Sequence, residues 1–284
     1  MPFRDLGKMK QYLDALRYCY DNGTDVESRA GGVRKSFGYQ MHYDLSKGFP
    51  AITTKKLAWK SVVSELLWFI EGSDDERRLA EILYNDSREN LKDKKTIWTQ
   101  NAQADYWKSK AKFEGDVGKI YGVQWRNFNG EDQVLNLIKG LKKDPNGRRH
   151  IISAWNPSEI KNMSLPACHA FSQFFISNNK LSCQLYQRSC DMFLGVPFNI
   201  ASYSLLTHML ARECKLEVGT FIHSLGDFHI YNEHFEQVKI QLERVPKKLP
   251  ELQFETKDFF KYNVNDFKLI NYQHHEKIDA LMNV

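Results

Sequence analysis

The sequence predicts an α+β fold in which helices pack on a sheet, with residues 1–284 forming one domain. Segments with helical and with strand periodicity follow one another without the regular strand–helix alternation of a parallel α/β sheet. A hairpin signal beyond the middle of the chain adds a pair of antiparallel strands. No Pro/Gly-rich linker, internal repeat or low-complexity segment divides the chain, so one domain is the simpler interpretation.

The first third of the chain contains two predicted helices and a strand between them. A helix is predicted over 7–21, and the segment DNGTD ends it. The stretch SFGYQMHYDL alternates in the way that a half-buried strand does. The stretch AWKSVVSELLWFIEG is apolar on nearly all sides, which predicts a buried helix that ends at Gly72.

The second half of the chain contains the hairpin and a long helix. The runs FSQFFIS and KLSCQLYQRSCD flank an Asn-Asn pair, which is typical of a tight turn between two strands. Further on, FNIASYSLLTHMLARECK places apolar residues at helical spacing, at Ile200, Tyr203, Leu206 and Leu210. These segments predict two paired strands followed by a helix.

Composition indicates a globular protein of a reducing compartment. Hydrophobic residues make up 42% of the chain, and the net charge of +5 comes from scattered Lys and Arg balanced by nearly as many acids. Such a balance fits a small phosphorylated ligand as well as nucleic acid. The N-terminus carries charges where a signal peptide has its apolar core, and no apolar run is long enough to span a bilayer. We therefore expect a cytoplasmic protein without a membrane partner.

The cysteines give no sign of a disulfide framework or of a metal site. There are five, they are widely spaced, and no Cys-x-x-Cys pair occurs. Cys168 stands beside His169 in LPACHAFSQFF, where a small buried residue is the simpler interpretation of a lone cysteine. The role of Cys168 therefore depends on the rest of the chain.

Several polar residues occupy positions where apolar ones are expected. Glu65 lies within VVSELLWFI, where burial would raise its pKa toward the range of a general acid or base; a surface acid is the alternative. The predicted strand over 181–191 carries polar side chains on both faces, which is typical of a wet interface or a ligand site. These side chains are Gln184, Gln187, Arg188, Ser189 and Asp191.

Two further segments offer groups for binding a ligand. Arg148 and Arg149 precede an apolar strand, and guanidinium groups bind oxyanions through two parallel hydrogen bonds; a solvated turn is the alternative. In GDFHIY, alternation places Asp227, His229 and Tyr231 on one face. So much hydrogen-bonding capacity is rarely buried without a partner.

Long segments of the chain resemble the thymidylate synthase family, which includes nucleotide hydroxymethylases. They follow the family's order over nearly the whole chain: GFPAITTKKLAWKSVVSELLWFIEG, IYGVQWRNF, PNGRRHIISAWNP, LPACHAFSQFF, LSCQLYQRSCDMFLGVPFNIASY and GDFHIYNEH. The resemblance implies a mixed sheet covered by helices and packed at a homodimer interface. It also implies one-carbon transfer from the co-substrate 5,10-methylenetetrahydrofolate to C5 of dUMP, with no metal.

The resemblance implies a role for each group in the chemical step. Cys168 resembles the nucleophile that adds to C6 of uracil, which suits a thiolate because it is soft, nucleophilic and able to leave again. Arg188 and neighbouring cations are expected to lower its pKa. Glu65 resembles the acid that acts through water on O4, and Tyr121 resembles the group that helps remove the C5 proton. Asn199 resembles the amide that reads O4 and N3, which favours uracil over cytosine.

The implied ligand contacts form four groups. The expected contacts with the phosphate are Arg188, Ser189 and Arg29, which is shifted by one position from the family's arginine. Arg148 and Arg149 are expected to join them from a second subunit. Gln187 and Asp191 complete the nucleotide contacts on the polar strand. The deoxyribose 3′-hydroxyl is assigned to His229 and Tyr231. The folate contacts are Lys55, Ile97, Trp98, Asp191 and Val284.

Departures from the family pattern fall in motifs around the expected site. The altered positions are Thr99 and Lys119 (usually Asp and Pro), Ala167 (usually Pro), Phe228 (usually small) and Asn283 (usually Ala). Several lie where we expect the enzyme to choose between hydride reduction and water attack on the C5 methylene. We therefore expect a deoxyuridylate hydroxymethylase that forms 5-hydroxymethyl-dUMP. Thymidylate synthase, which forms dTMP and dihydrofolate, is the alternative, and the retained Trp98 and Val284 favour it.

Two other classes of protein compete with this interpretation. A nucleic-acid-binding module would use the lysines together with exposed aromatic residues, but no motif requires it. A cysteine hydrolase would need a histidine as the base for Cys168. His169 suits that role poorly, because adjacent residues on an extended chain point in opposite directions.

Overall fold

Helices pack against a mixed sheet in the computed structural model, which describes residues 8–28 and 31–282. The helices are α1 Lys10–Asn22, α2 Trp59–Glu71, α3 Glu76–Tyr84, α4 Thr99–Ala102, α5 Asp105–Lys108, α6 Tyr121–Arg126, α7 Gln133–Lys143, α8 Gly195–Glu213 and α9 Phe235–Glu243. The strands are β1 Thr24–Ser28, β2 Gly31–Asp44, β3 Ile151–Ser153, β4 His169–Ser177, β5 Lys180–Asp191, β6 Glu217–Tyr231, β7 Glu251–Gln253 and β8 Lys268–Ile270. The α+β prediction is confirmed.

The main sheet of the described residues has six strands in the order β1-β2-β6-β5-β4-β3. Its neighbouring strands pair antiparallel except β5 and β6, which run parallel. The long helix α8 connects this parallel pair and packs on both of its strands. β7 and β8 form a separate antiparallel ribbon. The sheet is therefore mixed, as the resemblance implied.

The predicted hairpin is the pair β4 and β5. Ser177 pairs with Lys180, and the two residues between them, Asn178 and Asn179, have φ angles of 49° and 60°. Positive φ at both central positions is the backbone of a tight hairpin turn, and asparagine tolerates it better than most residues. The Asn-Asn signal therefore predicted the turn, and the structure adds the register of the two strands.

The predicted helices are present, with bounds that differ by a few residues. α1 covers Lys10–Asn22 where 7–21 was predicted. α2 ends, as predicted, before Gly72, whose left-handed backbone (φ 81°) lets its N–H bond the carbonyls of the last turn. In α8 the apolar residues singled out by spacing are all buried. None of the helices in the described part of the chain is long and apolar enough to cross a bilayer.

The sheet face opposite α8 carries exposed aromatic side chains. Along β4 and β5 alternate residues are buried, while Phe175 and Tyr186 on the other face are 61% and 43% exposed. Phe175 and Gln184 help to line a concavity of about 600 Å³ on this face. Exposed aromatic surface of this kind is typical of a protein contact.

Candidate active site

Cys168 lies directly before β4, and its backbone is held from two sides. Its N–H donates to the Tyr121 hydroxyl at 2.7 Å, and its carbonyl accepts from the backbone N–H of Arg188 at 2.8 Å. β4 shifts register between His169 and Phe171, and such a bulge redirects the side chains at a strand end. Two elements distant in sequence, α6 and β5, therefore fix the position of this cysteine.

Arg188 brings a guanidinium group to the thiol. Its Nη2 lies 3.9 Å from Cys168 Sγ. Nη2 also donates to the carbonyl of Pro166 at 2.7 Å, and Nε donates to that of Ala167 at 2.9 Å. The guanidinium lies over the indole of Trp155, 5.2 Å from the ring centroid. Arg188 thus holds the loop that precedes the cysteine and places a positive charge beside Sγ.

Burial determines the direction in which the pKa of the Cys168 thiol is shifted. The pKa is raised above its ordinary value, because removing a thiolate from water outweighs the opposing effects of Arg188 and of hydrogen bonds from Tyr121 and Ser189. Arg188 lowers the pKa, as expected, but burial has the larger effect. At neutral pH the side chain is a thiol, so nucleophilic attack requires that a proton leave it.

A chain of buried hydrogen bonds fixes the orientation of Asn199. His223 Nε2 lies 2.9 Å from Gln187 Oε1, and Gln187 Nε2 donates to Asn199 Oδ1 at 3.0 Å. Asn199 Nδ2 lies 3.1 Å from His169 Nε2, and His169 Nδ1 lies 3.3 Å from the Tyr203 hydroxyl. Burial lowers the pKa of both histidines to about 3, so both rings are neutral. His223 therefore donates from Nε2, and His169 accepts at Nε2.

Asn199 keeps one donor and one acceptor for a ligand. A side-chain amide has two N–H donors and two lone pairs on its oxygen, and the buried chain uses one of each. The pair that is left matches the O4 acceptor and the N3–H donor of uracil. His169, whose ring stacks on that of Tyr121 with 4.3 Å between centroids, therefore orients the amide rather than serving Cys168 as a base.

Glu65 is buried within α2, which agrees with the interpretation as a buried acid and not with the alternative of a surface acid. Its Oε1 accepts from the indole N–H of Trp98 at 2.7 Å. Burial raises the pKa of this carboxyl to about 7, and the indole hydrogen bond offsets only part of the shift. The Trp98 ring packs edge-on against that of Tyr121, with 5.9 Å between centroids, and Tyr121 contacts Cys168. An acid that can exchange a proton near neutral pH is thus linked to the cysteine.

The end of β6 presents the predicted polar face. His229 Nδ1 lies 3.1 Å from Asp227 Oδ1, and the rings of His229 and Tyr231 meet edge-on at 5.2 Å. Burial raises the pKa of the Tyr231 hydroxyl to about 12, with further contributions from the charges of Asp191 and Cys168. His229 pairs in register with Asp191 at the end of β5. These groups therefore lie at the edge of the site that holds the cysteine.

Some of the residues predicted to contact folate already make contacts within the protein. Lys55 is 7% exposed, donates to the carbonyl of Phe193 at 2.6 Å and lies 3.5 Å from the centroid of that ring. Burial lowers the pKa of its ammonium group to about 7. Asp191 accepts from the backbone N–H of Phe193, and Ile97 is half-buried. The contact of Lys55 with a folate tail stays a prediction, because its side chain would have to move.

Other predicted residues lie apart from this cluster. Arg148 and Arg149 are exposed at the turn before β3, and no hydrogen bond or ion pair within the described chain joins their guanidinium groups to Cys168. Arg29 and Val284 fall outside the described residues. The roles of these four arginine and valine side chains stay predictions.

Phe228 does not line the site. Its ring is fully buried and packs against those of Tyr39 and Tyr18, with centroid distances of 5.9 and 6.3 Å. Alternation along β6 turns it to the face opposite Asp227 and His229. Our expectation that Phe228 lies where the product is chosen is therefore wrong.

Several residues that support the site were not predicted. Tyr203 and His223 continue the hydrogen-bond chain of Asn199, and Trp155 supports Arg188. Glu76 binds the loop that carries Trp98. These contacts join segments far apart in the chain, so no local periodicity or spacing could have indicated them.

The described residues thus bring together a cysteine, a guanidinium group, an oriented amide and an acid whose pKa lies near neutrality. In residues 8–28 and 31–282, no group of three or more His, Cys, Asp or Glu side chains is placed to hold a metal ion. Residues 10–284 match the family model described as thymidylate synthase.

Proposed function

Because this chain belongs to the thymidylate synthase family, we propose that it transfers a one-carbon unit from 5,10-methylenetetrahydrofolate to C5 of dUMP. The observation that carries the proposal is the pairing of Cys168, beside Arg188, with an Asn199 amide whose remaining donor and acceptor match uracil. A cytosine ring presents the opposite pattern at position 4 and N3, so the same amide orientation disfavours dCMP.

The chemistry follows from the groups that are present. The Cys168 thiol first loses its proton to water, and addition of the resulting thiolate to C6 moves negative charge to C5 and O4, where the free N–H of Asn199 can stabilise it. C5 then forms a bond to the one-carbon unit, which the folate supplies at the oxidation level of formaldehyde. The C5 proton must next be removed, and Tyr121 and a water bound by Glu65 are the acceptors proposed for it. Departure of the folate amine leaves a methylene group at C5.

We further propose that water, rather than hydride, completes the reaction. Addition of water to the C5 methylene and departure of Cys168 give 5-hydroxymethyl-dUMP and tetrahydrofolate. Two observations support this route. Thr99 and Lys119 replace family residues next to Trp98 and near Tyr121, and the pKa of Glu65, about 7, allows it to take a proton from the attacking water.

A second copy of the chain is proposed to complete the phosphate site. Arg148 and Arg149 are exposed, so their guanidinium groups are open to a ligand or a second copy of the chain. The sheet face that bears Phe175 and Tyr186 offers an aromatic surface for a twofold contact. With Arg188 occupied by carbonyls of the cysteine loop, additional arginines would share the charge of a bound phosphate.

One product assay tests the reaction and its outcome. The protein is incubated with dUMP and methylenetetrahydrofolate, and dihydrofolate absorbance and product mass are followed. We expect a product heavier than dTMP by one oxygen, without dihydrofolate. Formation of dTMP with stoichiometric dihydrofolate would contradict the water route and support the synthase reaction. Turnover of dCMP but not of dUMP would contradict the assignment of Asn199.

A further inference from the structure

A buried ion pair lies at the start of α3, outside the reacting groups. Glu76 is 1% exposed, and its two oxygens accept from Nε and Nη2 of Arg77, each at 2.6 Å. Nη1 of Arg77 donates to the carbonyls of Leu91 and Lys94 at 3.0 and 2.9 Å. Replacing such a pair by apolar residues is often neutral or stabilising, so stability alone does not account for these buried charges.

The same carboxylate holds the loop that carries Trp98. Thr96 Oγ1 and Thr99 Oγ1 each donate to Glu76 Oε1 at 2.6 Å. Within the loop, the N–H of Thr96 donates to Thr99 Oγ1 at 2.8 Å, and the N–H of Trp98 donates to Thr96 Oγ1 at 3.1 Å. Both residues that flank Ile97 and Trp98 are therefore tied to one oxygen atom. Hydrogen bonds to an ionised acceptor are stronger than neutral ones, so this attachment is rigid.

We propose that Glu76 is a positioning residue for the one-carbon transfer, because it holds Trp98 at the place where the indole meets the Glu65 carboxyl. The inference rests on the proposed function. Thr99 stands where the family resemblance places an acid, and Glu76 supplies a carboxylate to the same loop from the neighbouring helix. The loop in turn sets Trp98 Nε1 at 2.7 Å from Glu65.

Two variants and a matched control test this role. Glu76→Gln removes the charge, and Thr99→Val removes one donor while leaving the ion pair with Arg77 intact. Thr207→Val is the control, because Thr207 is also fully buried and its hydroxyl donates to the carbonyl of Tyr203 within α8, at 2.7 Å. We expect the first two variants to lower kcat/KM for the folate by about ten-fold or more, since small misplacements near reacting groups are costly. Their Kd for dUMP and the kinetics of Thr207→Val should be unchanged.

A rescue experiment separates positioning from general destabilisation. Arg77 Nη2 lies 3.4 Å from Thr99 Oγ1, so the double variant Glu76→Gln/Thr99→Asp returns a carboxylate within reach of that guanidinium. We expect it to recover most of the lost kcat/KM.

The possible results lead to different conclusions. Wild-type kinetics in Thr99→Val, or in a folded Glu76→Gln protein, would overturn the inference and leave the proposed function intact. A double variant no better than Glu76→Gln would also overturn it. If Glu76→Gln does not fold, Thr99→Val decides alone. Absence of dUMP turnover by the wild-type protein would instead overturn the proposed function.

Discussion

Burial raises the pKa values of both Cys168 and Glu65, with opposite consequences for proton transfer. In the proposed reaction the cysteine must lose a proton before it attacks C6, whereas a carboxyl with a pKa of about 7 can both accept and return one near neutral pH. Trp98 and Tyr121 lie between the two groups. The roles proposed for Cys168 and Glu65 therefore depend more on the surroundings of each side chain than on its residue type.

The raised pKa of Glu65 makes stability depend on pH. Below its ordinary value of 4.5 the carboxyl is neutral in both the folded and the unfolded chain, and above about 7 it is charged in both. The contribution of this carboxyl to the free energy of unfolding is therefore fully present at low pH. It is lost, by about 3 kcal/mol, as pH rises through the pKa of the folded state. We expect Glu65→Gln to remove this loss. Urea unfolding at pH 5 and pH 8 measures it, and an identical pH dependence in both proteins would contradict the assignment.

At the scale of elements, α2 and the β4–β5 hairpin were predictable because their signals are local. A continuous apolar surface and a glycine stop define α2, and an Asn-Asn turn sets the register of the hairpin. The parallel pairing of β5 with β6 was not predictable in the same way, because α8 separates the two strands and long-range pairing leaves no local period.

The site shows the same division between local and long-range information. The resemblance indicated Cys168, Arg188 and Asn199, because they lie in contiguous motifs. The attachment of Glu76 to Thr96 and the neutral His169 that orients Asn199 depend on contacts across the fold. Phe228 was misplaced because its place in the motif was followed, although the alternation that puts Asp227 and His229 on one face turns Phe228 to the other.

The end of α2 yields a stability prediction. Gly72 has φ 81°, and a Cβ there would lie 2.8 Å from Cβ of Arg126. Gly72→Ala should therefore cost about 1–2 kcal/mol for the left-handed backbone, and more for the close contact. Gly130→Ala is the control, because Gly130 also has positive φ (95°) but nothing within 4 Å of its Cβ position. Equal losses in the two variants, measured by urea unfolding, would show that the contact with Arg126 is without effect.

At the scale of the whole molecule, the exposed arginines and the aromatic sheet face lead to a complementation test. Cys168→Ala and Arg148→Ala/Arg149→Ala should each be nearly inactive. A heterodimer of the two would contain one intact site, so an equimolar mixture after subunit exchange should recover about a quarter of the wild-type rate. Native mass spectrometry provides the control that exchange has occurred, because the heterodimer differs in mass from both homodimers. A mixture that exchanges subunits but stays inactive would contradict the donation of arginines across an interface.

The covalent bond between Cys168 and C6 of the nucleotide is the central claim, and intact-protein mass spectrometry tests it most directly. The protein is incubated with 5-fluoro-dUMP and methylenetetrahydrofolate, since fluorine cannot leave C5 as a cation and the ring therefore stays attached. We predict a mass increase of one nucleotide and one folate unit per chain, located on the peptide that contains Cys168 and absent in Cys168→Ala. A Cys214→Ala protein should still form the adduct. No adduct, or an adduct on a different cysteine, would contradict the account.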